Sequence, residues 1–531
     1  MLRDIALASL SGLLLLLAFP PFDLSALAWI GLVPLLLAGR SPRSALLLSG
    51  LTGLVFFVGI FSWIWTVPAF NVLDGCLVAV YLASYFALWG LGVAWIRSRT
   101  GLPLPIVAAP LWVTLEYARG HAGFLSLPWM LLGYSQYQTT SLIQVTSLTG
   151  VYGLSFLIVL INASLVEALA WLRVRGEPRA AAFPRGPRPI ALPVSALLLA
   201  ATFAYGHAVL SQPDDGDRVR IAIVQGNVPQ TLKWDAAYRK ATLERYARLT
   251  RKAAEQSPVL IVWPETATPG DVQHDPELRR VIGQLAVATG THLLVGSSEH
   301  AKFTQRELHG KFFNSLVLVT PRGEMAAEYR KIRLVPFGEY EPLGGLVKWP
   351  RAIAATVGNS VAGTEYLLFH VGDLTFGATI CWENLFPDLV REFAKTGARF
   401  MVNATNEAWF GETSAAAQFL AISALRAAEN RVAIARATNT GISAFIDPFG
   451  RITERLRGPG GQELFVEGQL VGEVPLSSRT TPYTRYGDVF AFLQIGGSGL
   501  LLIRASAVTG AVRRAVARRS AKTCERASEA S

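Results

Sequence analysis

The chain has 531 residues, of which 51% are hydrophobic and 16% are charged, whereas an average soluble domain has about 25% charged residues. This composition indicates a membrane protein rather than a wholly soluble one. The net charge of +11 is concentrated in residues 1–210 and in the tail from Arg504, beside apolar segments, and this argues against nucleic-acid binding.

Apolar runs predict eight transmembrane helices, at residues 5–19, 24–38, 45–65, 73–96, 104–118, 142–172, 190–210 and 489–503. The first two and the last are shorter than the ~20 residues that a full crossing needs. Arginines are concentrated in alternate loops, which the positive-inside rule assigns to the cytoplasm. These loops carry Arg40, Arg43, Arg97, Arg99, Arg173, Arg175, Arg179, Arg185 and Arg188. Both termini are therefore predicted to be cytoplasmic, with the polar part of the chain outside.

The charge and hydropathy patterns divide the chain into four parts. Residues 1–210 are predicted to form a membrane domain, 218–477 a water-facing domain, 488–504 the last transmembrane helix and 505–531 a basic cytoplasmic tail. Within the water-facing part, helical patterns at 235–256, 276–289 and 414–431 alternate with β-rich runs, which is typical of an α/β domain. The β-rich runs are VRIAIVQGN, VLIVWPE, LLVGSSE, NSLVLVT, LTFGATICWE, RFMVNATNE, VAIARATNTG and ISAFIDPFG.

Three of the predicted strand ends present reactive groups. Glu265 follows VLIVWP, Lys331 lies in YRKIRLVPFGEYEP, and Cys381 lies in FGATICWENLF at a predicted strand–turn–helix junction. Singly, such residues are more often a helix cap, a solvated cation and a small core residue. Together they form a set in which the cation lowers the thiol pKa and the carboxylate accepts its proton, helped by a helix that begins near Phe386. No metal motif accompanies them, so neither a metal nor a cofactor is predicted.

The order WPE, YRK with LVPFGE, and C-W-E resembles the nitrilase (carbon–nitrogen hydrolase) superfamily, which uses a Glu-Lys-Cys triad on an αββα sandwich. With LPWMLLGYSQYQ and GVYGLSF in the membrane part, the resemblance narrows to the apolipoprotein N-acyltransferase family and covers nearly the whole chain. It implies a polytopic α-helical membrane protein with an inserted nitrilase-like αββα sandwich. It also assigns Cys381 as nucleophile, Glu265 as general base and Lys331 as the cation that stabilises the oxyanion.

The resemblance also assigns supporting positions. Glu339 matches the family's second essential glutamate, and Trp234, Trp382 and Glu383 match further positions tied to activity. The chain departs from the family pattern at Trp382, where tyrosine is common, and at Glu407, where aspartate is usual. Trp382 keeps an aromatic ring and a polar N–H, so we expect function to be retained.

The implied reaction has two steps. A phospholipid transfers a fatty acyl chain to Cys381, and the α-amine of a diacylglyceryl-cysteine at an apolipoprotein N-terminus then accepts it as an amide. The implied location is a bacterial inner membrane with the catalytic domain facing the periplasm, and we expect a monomer. One alternative is a membrane-bound nitrilase-type amidase that uses water as acceptor. A transporter or receptor is a second alternative, but paired charges at mid-membrane depth are not evident in the sequence.

Apolar side chains in residues 342–363 suggest a route for lipid entry. Leu343, Leu346 and Trp349 are predicted to lie on a mobile arm that dips into the membrane interface. An ordinary loop packed on the domain is the alternative. Trp409 is likewise predicted either to line an acyl pocket or to belong to the core.

Overall fold

The computed structural model places two structural halves in chain order, a helical half and a β-sandwich. It describes residues 1–38, 41–67, 70–176, 190–212, 216–230, 233, 236–300, 310–344, 346, 347, 349, 358–477 and 479–528. The helical half, residues 1–210, contains helices Leu2–Leu17, Val33–Ala38, Pro42–Ile60, Val72–Thr100, Leu104–Gly120, Thr140–Ile143, Thr146–Thr149, Val151–Gly176 and Ala191–Leu210. A helix at Val489–Ser528 follows the sandwich and runs through most of the predicted basic tail.

Within the described ranges, five helical segments are long and apolar enough to cross a membrane. They are Pro42–Ile60, Val72–Thr100, Val151–Arg173, Ala191–Leu210 and Val489–Thr509. Two other predicted spans are the shorter helices Leu2–Leu17 and Leu104–Gly120. The structure thus supports a membrane protein with at least these five candidate spans.

Two predicted spans differ from the helices observed. Residues 24–38 form a short 3₁₀ helix, Ser25–Trp29, and then the helix Val33–Ala38, because Pro34 has no N–H to donate and suits only a first helical turn. The run at 142–172 becomes one long helix only from Val151, after Gly150 adopts a φ of 63°.

The long helix Val72–Thr100 shows how the sequence sets these boundaries. The Asn71 side chain accepts hydrogen bonds from the backbone N–H groups of Leu73 and Asp74, and the Asp74 carboxylate accepts one from the N–H of Asn71. This reciprocal cap satisfies donors that have no partner within the helix. Gly101, at a φ of 64°, ends the helix in the left-handed conformation.

The sandwich consists of two six-stranded sheets. The first has the order β12-β1-β2-β3-β4-β5 and the second β11-β10-β9-β8-β7-β6. The strands are β1 Arg218–Gln225, β2 Leu260–Val262, β3 His292–His300, β4 Phe312–Val319, β5 Met325–Arg330, β6 Phe369–Val371, β7 Leu374–Ile380, β8 Phe400–Thr405, β9 Ala433–Thr438, β10 Ala444–Ile446, β11 Ile452–Arg455 and β12 Gly468–Pro475. Strands β1 to β3 are parallel, as are β7 to β9. The eight strands predicted from sequence occupy the interior positions.

Both faces of the first sheet are buried, which explains its near-continuous apolar sequence. Alternate residues of a strand point to opposite faces. Ile221 and Ile223 belong to the core shared with the second sheet, whereas Ala222 and Val224 pack with the helix Arg239–Ala254. The observed layers therefore follow the predicted α/β pattern.

A helix also covers the outer face of the second sheet. A side chain added at Gly377 in β7 would meet Phe393 of the helix Pro387–Lys395. The helices predicted at 276–289 and 414–431 are observed as Pro276–Thr289 and Ala415–Asn430. We call Ala415–Asn430 the central helix, because nearly all of it is buried between the sandwich and the helical half.

The central helix joins the two halves through polar contacts. The Gln418 side chain accepts hydrogen bonds from the indole N–H groups of Trp63, at 3.3 Å, and Trp129, at 2.8 Å. It also donates to the carbonyl oxygen of Ile60 at 3.0 Å. One glutamine thus satisfies three buried groups of the helical half, which fixes the position of the sandwich on it.

We predict that Gly296→Ala destabilises the protein. A Cβ at this position of β3 would clash with the backbone oxygen of Pro264 and the backbone nitrogen of Thr266. Overpacking of this kind costs about 1–3 kcal/mol, so the melting temperature of the detergent-solubilised protein should fall. Gly497→Ala is the control, because the space around this helical glycine is open. Equal melting temperatures for the two variants would contradict the prediction.

Candidate active site

The three predicted reactive residues lie at the same edge of the sandwich. Glu265 follows β2, Lys331 follows β5 and Cys381 follows β7, and each of these strands ends at that edge. Asn406, directly after β8, and Asn314, near the start of the antiparallel strand β4, lie there too. Strand ends of this kind are where α/β folds hold their ligands.

Cys381 occupies a strained turn. Strand β7 ends at Ile380, Cys381 has a φ of 57°, and a short 3₁₀ helix runs from Cys381 to Leu385. A non-glycine residue in this left-handed region costs of order 1–3 kcal/mol, and such strain is concentrated at functional sites. The next helix starts at Pro387, close to the predicted start at Phe386. The turn places Cys381 just beyond the strand, where the residue is partly buried.

Lys331 is a fully buried cation held by two carboxylates. Its side chain is 0% exposed, and Nζ lies 2.7 Å from Oε1 of Glu339 and 3.7 Å from Oε1 of Glu265. Burial opposes the charged form, but Glu339, Cys381 and Glu265 outweigh it and raise the pKa of Lys331 above its ordinary value. Lys331 is therefore a permanent positive charge in the site.

Glu265 is fixed by neutral donors on both oxygens. Oε1 accepts a hydrogen bond from the side-chain amide of Asn314 at 2.7 Å, and Oε2 accepts one from the backbone N–H of Asn406 at 2.8 Å. The carboxyl group itself is nearly buried. It is thus aimed by the β4 and β8 strands toward Lys331.

The Cys381 thiol is protonated in the resting site. Burial and the Glu265 carboxylate raise its pKa, and Lys331 together with the backbone N–H of Trp382 lowers it by less. Lys331 lowers the thiol pKa, as predicted, but burial and Glu265 raise it by more. The arrangement therefore supports a proton transfer from the thiol to Glu265 as the nucleophile attacks, rather than a preformed thiolate.

Glu383 connects the segment of Lys331 to the turn of Cys381. Its buried carboxylate accepts hydrogen bonds from the Tyr329 hydroxyl and from the backbone N–H groups of Ile332, Arg333 and Ile380, at distances of 2.7 to 3.0 Å. Burial raises the pKa of Glu383 to about 7, while the donors favour the charged form. Glu383 therefore ties the chain after β5 to the turn of Cys381.

Two other predicted residues have defined contacts. Trp382 donates its indole N–H to the carbonyl oxygen of Arg333 and packs edge-on against Phe386, at 5.2 Å between ring centroids. Glu407 is buried and paired with the buried Arg436. Trp234 lies outside the described residues.

The predicted lipid-entry residues lie at the surface. Leu343 is 48% exposed, Leu346 87% and Trp409 42%, so Trp409 does not belong to the core. Trp349 is half-buried; its indole N–H donates to the carbonyl oxygen of Pro342, and its ring approaches Phe124 of the helical half at 6.3 Å.

A cleft of about 930 Å³ opens between the helical half and the sandwich. Phe124 and Ser126 line it from the helical half, and Trp382, Arg333 and Gly344 line it from the sandwich. Trp382, which follows Cys381 in the chain, therefore forms part of the cleft wall.

Sequence reasoning missed three residues that complete the site. Asn314 and Asn406 orient Glu265, and the buried Lys233 donates to the backbone oxygen of Glu265 at 3.1 Å. They lie in the sequence blocks FNSLVL, NATNE and QTLKW. The signals that could have identified them were asparagine at a strand end in the first two blocks and lysine next to apolar residues in the third. Over the described part of the chain, no group of three or more His, Cys, Asp or Glu side chains is placed to hold a metal ion.

The chain is similar in sequence to proteins of a known family along most of its length. Residues 11–164 match the family model "Apolipoprotein N-acyltransferase N-terminal domain", and residues 220–476 match "Carbon-nitrogen hydrolase". Apolipoprotein N-acyltransferase from Geobacter metallireducens is 40% identical over 512 residues, with 94% of each chain covered. The Chlorobaculum tepidum protein of that name is 29% identical and covers 94% of this chain and 95% of its own. A mutant Nesterenkonia AN1 amidase of the nitrilase superfamily aligns with a TM-score of 0.39 at 20% identity, covering 53% of this chain and 97% of its own.

We predict that Glu383→Gln both destabilises the protein and slows alkylation of Cys381 by iodoacetamide. A glutamine side chain has one acceptor oxygen, so at least one buried donor loses its partner, at a cost of about 1–3 kcal/mol. Thermal unfolding and peptide mass spectrometry measure the two effects. Glu255→Gln, at an exposed position, is the control. A variant that matches this control in both assays would show that Glu383 does not position the turn.

Proposed function

Because this chain belongs to the apolipoprotein N-acyltransferase family, we propose that its acyl transfer is carried out by Cys381, Glu265 and Lys331. The observation that carries the proposal is the buried Lys331, held between Glu339 and Glu265 beside the strained turn of Cys381. A permanent cation in a water-poor site is well suited to stabilise an oxyanion.

In the first step, Glu265 accepts the proton of the Cys381 thiol as the sulfur attacks an ester carbonyl of a phospholipid. Lys331 and the backbone N–H of Trp382 stabilise the oxyanion of the tetrahedral intermediate. The intermediate collapses when Glu265 returns the proton to the leaving glycerol oxygen. A lysophospholipid departs, and the acyl chain remains on Cys381 as a thioester.

In the second step, the α-amine of a diacylglyceryl-cysteine attacks the thioester carbonyl. Glu265 accepts a proton from the amine, the C–S bond breaks, and the thiolate of Cys381 is protonated again. The product is the N-acylated apolipoprotein. Water in place of the amine would give a fatty acid, which is the outcome that an amidase would produce.

The cleft between the two halves supports a lipid donor. Lys311 and Arg333, the latter paired with Asp388, provide cations for a phosphate group. The exposed Leu343 and Leu346 lie on either side of Gly344, which lines the cleft. We propose that these leucines and Trp349 contact the membrane surface, and that Trp409 contributes to an acyl-binding surface. Glu339 holds Lys331 in place, and Trp234 belongs to the same supporting set.

We further propose eight transmembrane helices in a bacterial inner membrane, with the sandwich, residues 218–477, on the periplasmic side. The shorter helices Leu2–Leu17 and Leu104–Gly120 and the segment Ser25–Ala38 would complete the five longer spans. Arginines in alternate loops favour cytoplasmic termini. A monomer is sufficient, since the three catalytic groups come from one chain.

We predict that the purified protein, incubated with phospholipid, gains the mass of one acyl group on the Cys381 peptide. Hydroxylamine should remove the group, and a diacylglyceryl peptide with a free amine should accept it. Cys381→Ser should gain no acyl group, because a hydroxyl is a far weaker nucleophile than a thiolate. Cys76→Ala is the matched control. Discharge by water alone would favour a hydrolase, and full activity of Cys381→Ser would refute the assignment of the nucleophile.

We predict that Leu343→Ser with Leu346→Ser lowers turnover of phospholipid in vesicles but not hydrolysis of a soluble short-chain ester. Each lost leucine removes apolar area that would otherwise enter the interface, so the loss is expected to be at least tenfold. Val287→Ser, at a 56% exposed position on the helix Pro276–Thr289, is the control. Equal losses with both substrates would indicate a packing defect instead.

A further inference from the structure

A second buried lysine lies next to the catalytic groups. The side chain of Lys233 is 5% exposed. Among the described residues, its ammonium donates a hydrogen bond to the backbone oxygen of Glu265 at 3.1 Å. The carboxylate of the same Glu265 approaches Lys331. Glu265 therefore has one lysine at its backbone and another at its side chain.

Lys233 is charged at neutral pH despite its burial. Burial lowers its pKa to about 8, and the opposing effects of Glu265 and Cys381 keep it from falling further. The groups that interact with this ammonium are thus the two that exchange the proton in the first step. A lysine with only a packing role would not need Glu265 and Cys381 beside its ammonium group.

Lys233 adds a second positive charge beside Glu265. Glu265 and Glu339 contribute two negative charges, and Lys331 contributes one positive charge. With Lys331 alone, the site around the neutral thiol would carry a net negative charge, which opposes formation of a thiolate or an oxyanion. Lys233 offsets part of this negative charge.

We propose that Lys233 is a positioning residue for the acyl transfer, which fixes the main chain of Glu265 and supplies the second positive charge that makes the Cys381 thiolate accessible. This inference rests on the proposed function, in which Cys381 is the nucleophile. Lys233 acts through Glu265 and through the field at the sulfur, and no contact with substrate is required of it.

Variants of Lys233 separate its charge from its hydrogen bond. Lys233→Arg keeps both, Lys233→Gln keeps a donor for the Glu265 oxygen but no charge, and Lys233→Met keeps neither. Lys240→Met, at an exposed position on the helix Arg239–Ala254, is the control for a lost surface charge. All are made in the full-length chain with Cys76→Ala and Cys524→Ala, so that Cys381 is the only thiol.

The experiment measures the rate of Cys381 alkylation by iodoacetamide against pH, with thermal unfolding to confirm folding. Loss of a nearby positive charge should move the midpoint up by about one to three pH units in Lys233→Gln and Lys233→Met. Lys233→Arg and Lys240→Met should stay near the parent value. A Lys233→Gln midpoint equal to that of the parent would overturn the proposal, even if the variant melts at a lower temperature.

Acylation of Cys381 by phospholipid in the parent protein distinguishes a failure of the role proposed for Lys233 from a failure of the proposed function. If Cys381 is acylated and the Lys233→Gln midpoint is unchanged, only the inference about Lys233 fails. If Cys381 is never acylated, the proposed function fails, whereas the thiol titration still reports whether Lys233 acts on the sulfur.

Discussion

A fully buried ammonium group is the constraint on which the site depends. Removing a cation from water is costly unless anions meet it, so Lys331 requires Glu339 at 2.7 Å and Glu265 at 3.7 Å. Each carboxylate must in turn be held in place. Glu265 is fixed by donors from two strands, and Glu339 accepts a hydrogen bond from the backbone N–H of Val335. The sandwich brings these strand ends to one edge, so a single buried charge organises parts of both sheets.

Electrostatic effects and backbone strain both act at Cys381. Burial and Glu265 raise the pKa of the thiol by more than Lys331 lowers it, and the positive φ of Cys381 places the residue just beyond the end of β7. Glu383 links the chain after β5 to the end of β7, which connects the segment of Lys331 to the turn of Cys381. Such preorganisation lowers the reorganisation needed when charge develops on the substrate.

The sequence predicted the interior of the sandwich better than its borders. Strands β1 to β4 and β7 to β10 are buried apolar runs, and their patterns were clear. Strands β5, β6, β11 and β12 were not predicted, and all four are sheet edges, where exposure permits polar residues such as those of Ile452–Arg455. Likewise, the reactive residues stood out by type, but Asn314, Asn406 and Lys233 did not, because their function depends on contacts with residues distant in sequence.

The contacts of Gln418 have a consequence for how substrates arrive. Three groups of the helical half, on Trp63, Trp129 and Ile60, share one side chain of the central helix, and the Asn384 side chain joins the turn of Cys381 to the same helix through Ser423 at 2.8 Å. The turn of Cys381 is therefore connected to the helical half through Ser423 and Gln418 of the central helix. The depth of the thiol relative to the bilayer is then a fixed property of the fold. Under the proposed function, a lipid donor would have to reach that depth, and the reach of its glycerol linkage would set which acyl carbonyl meets the sulfur.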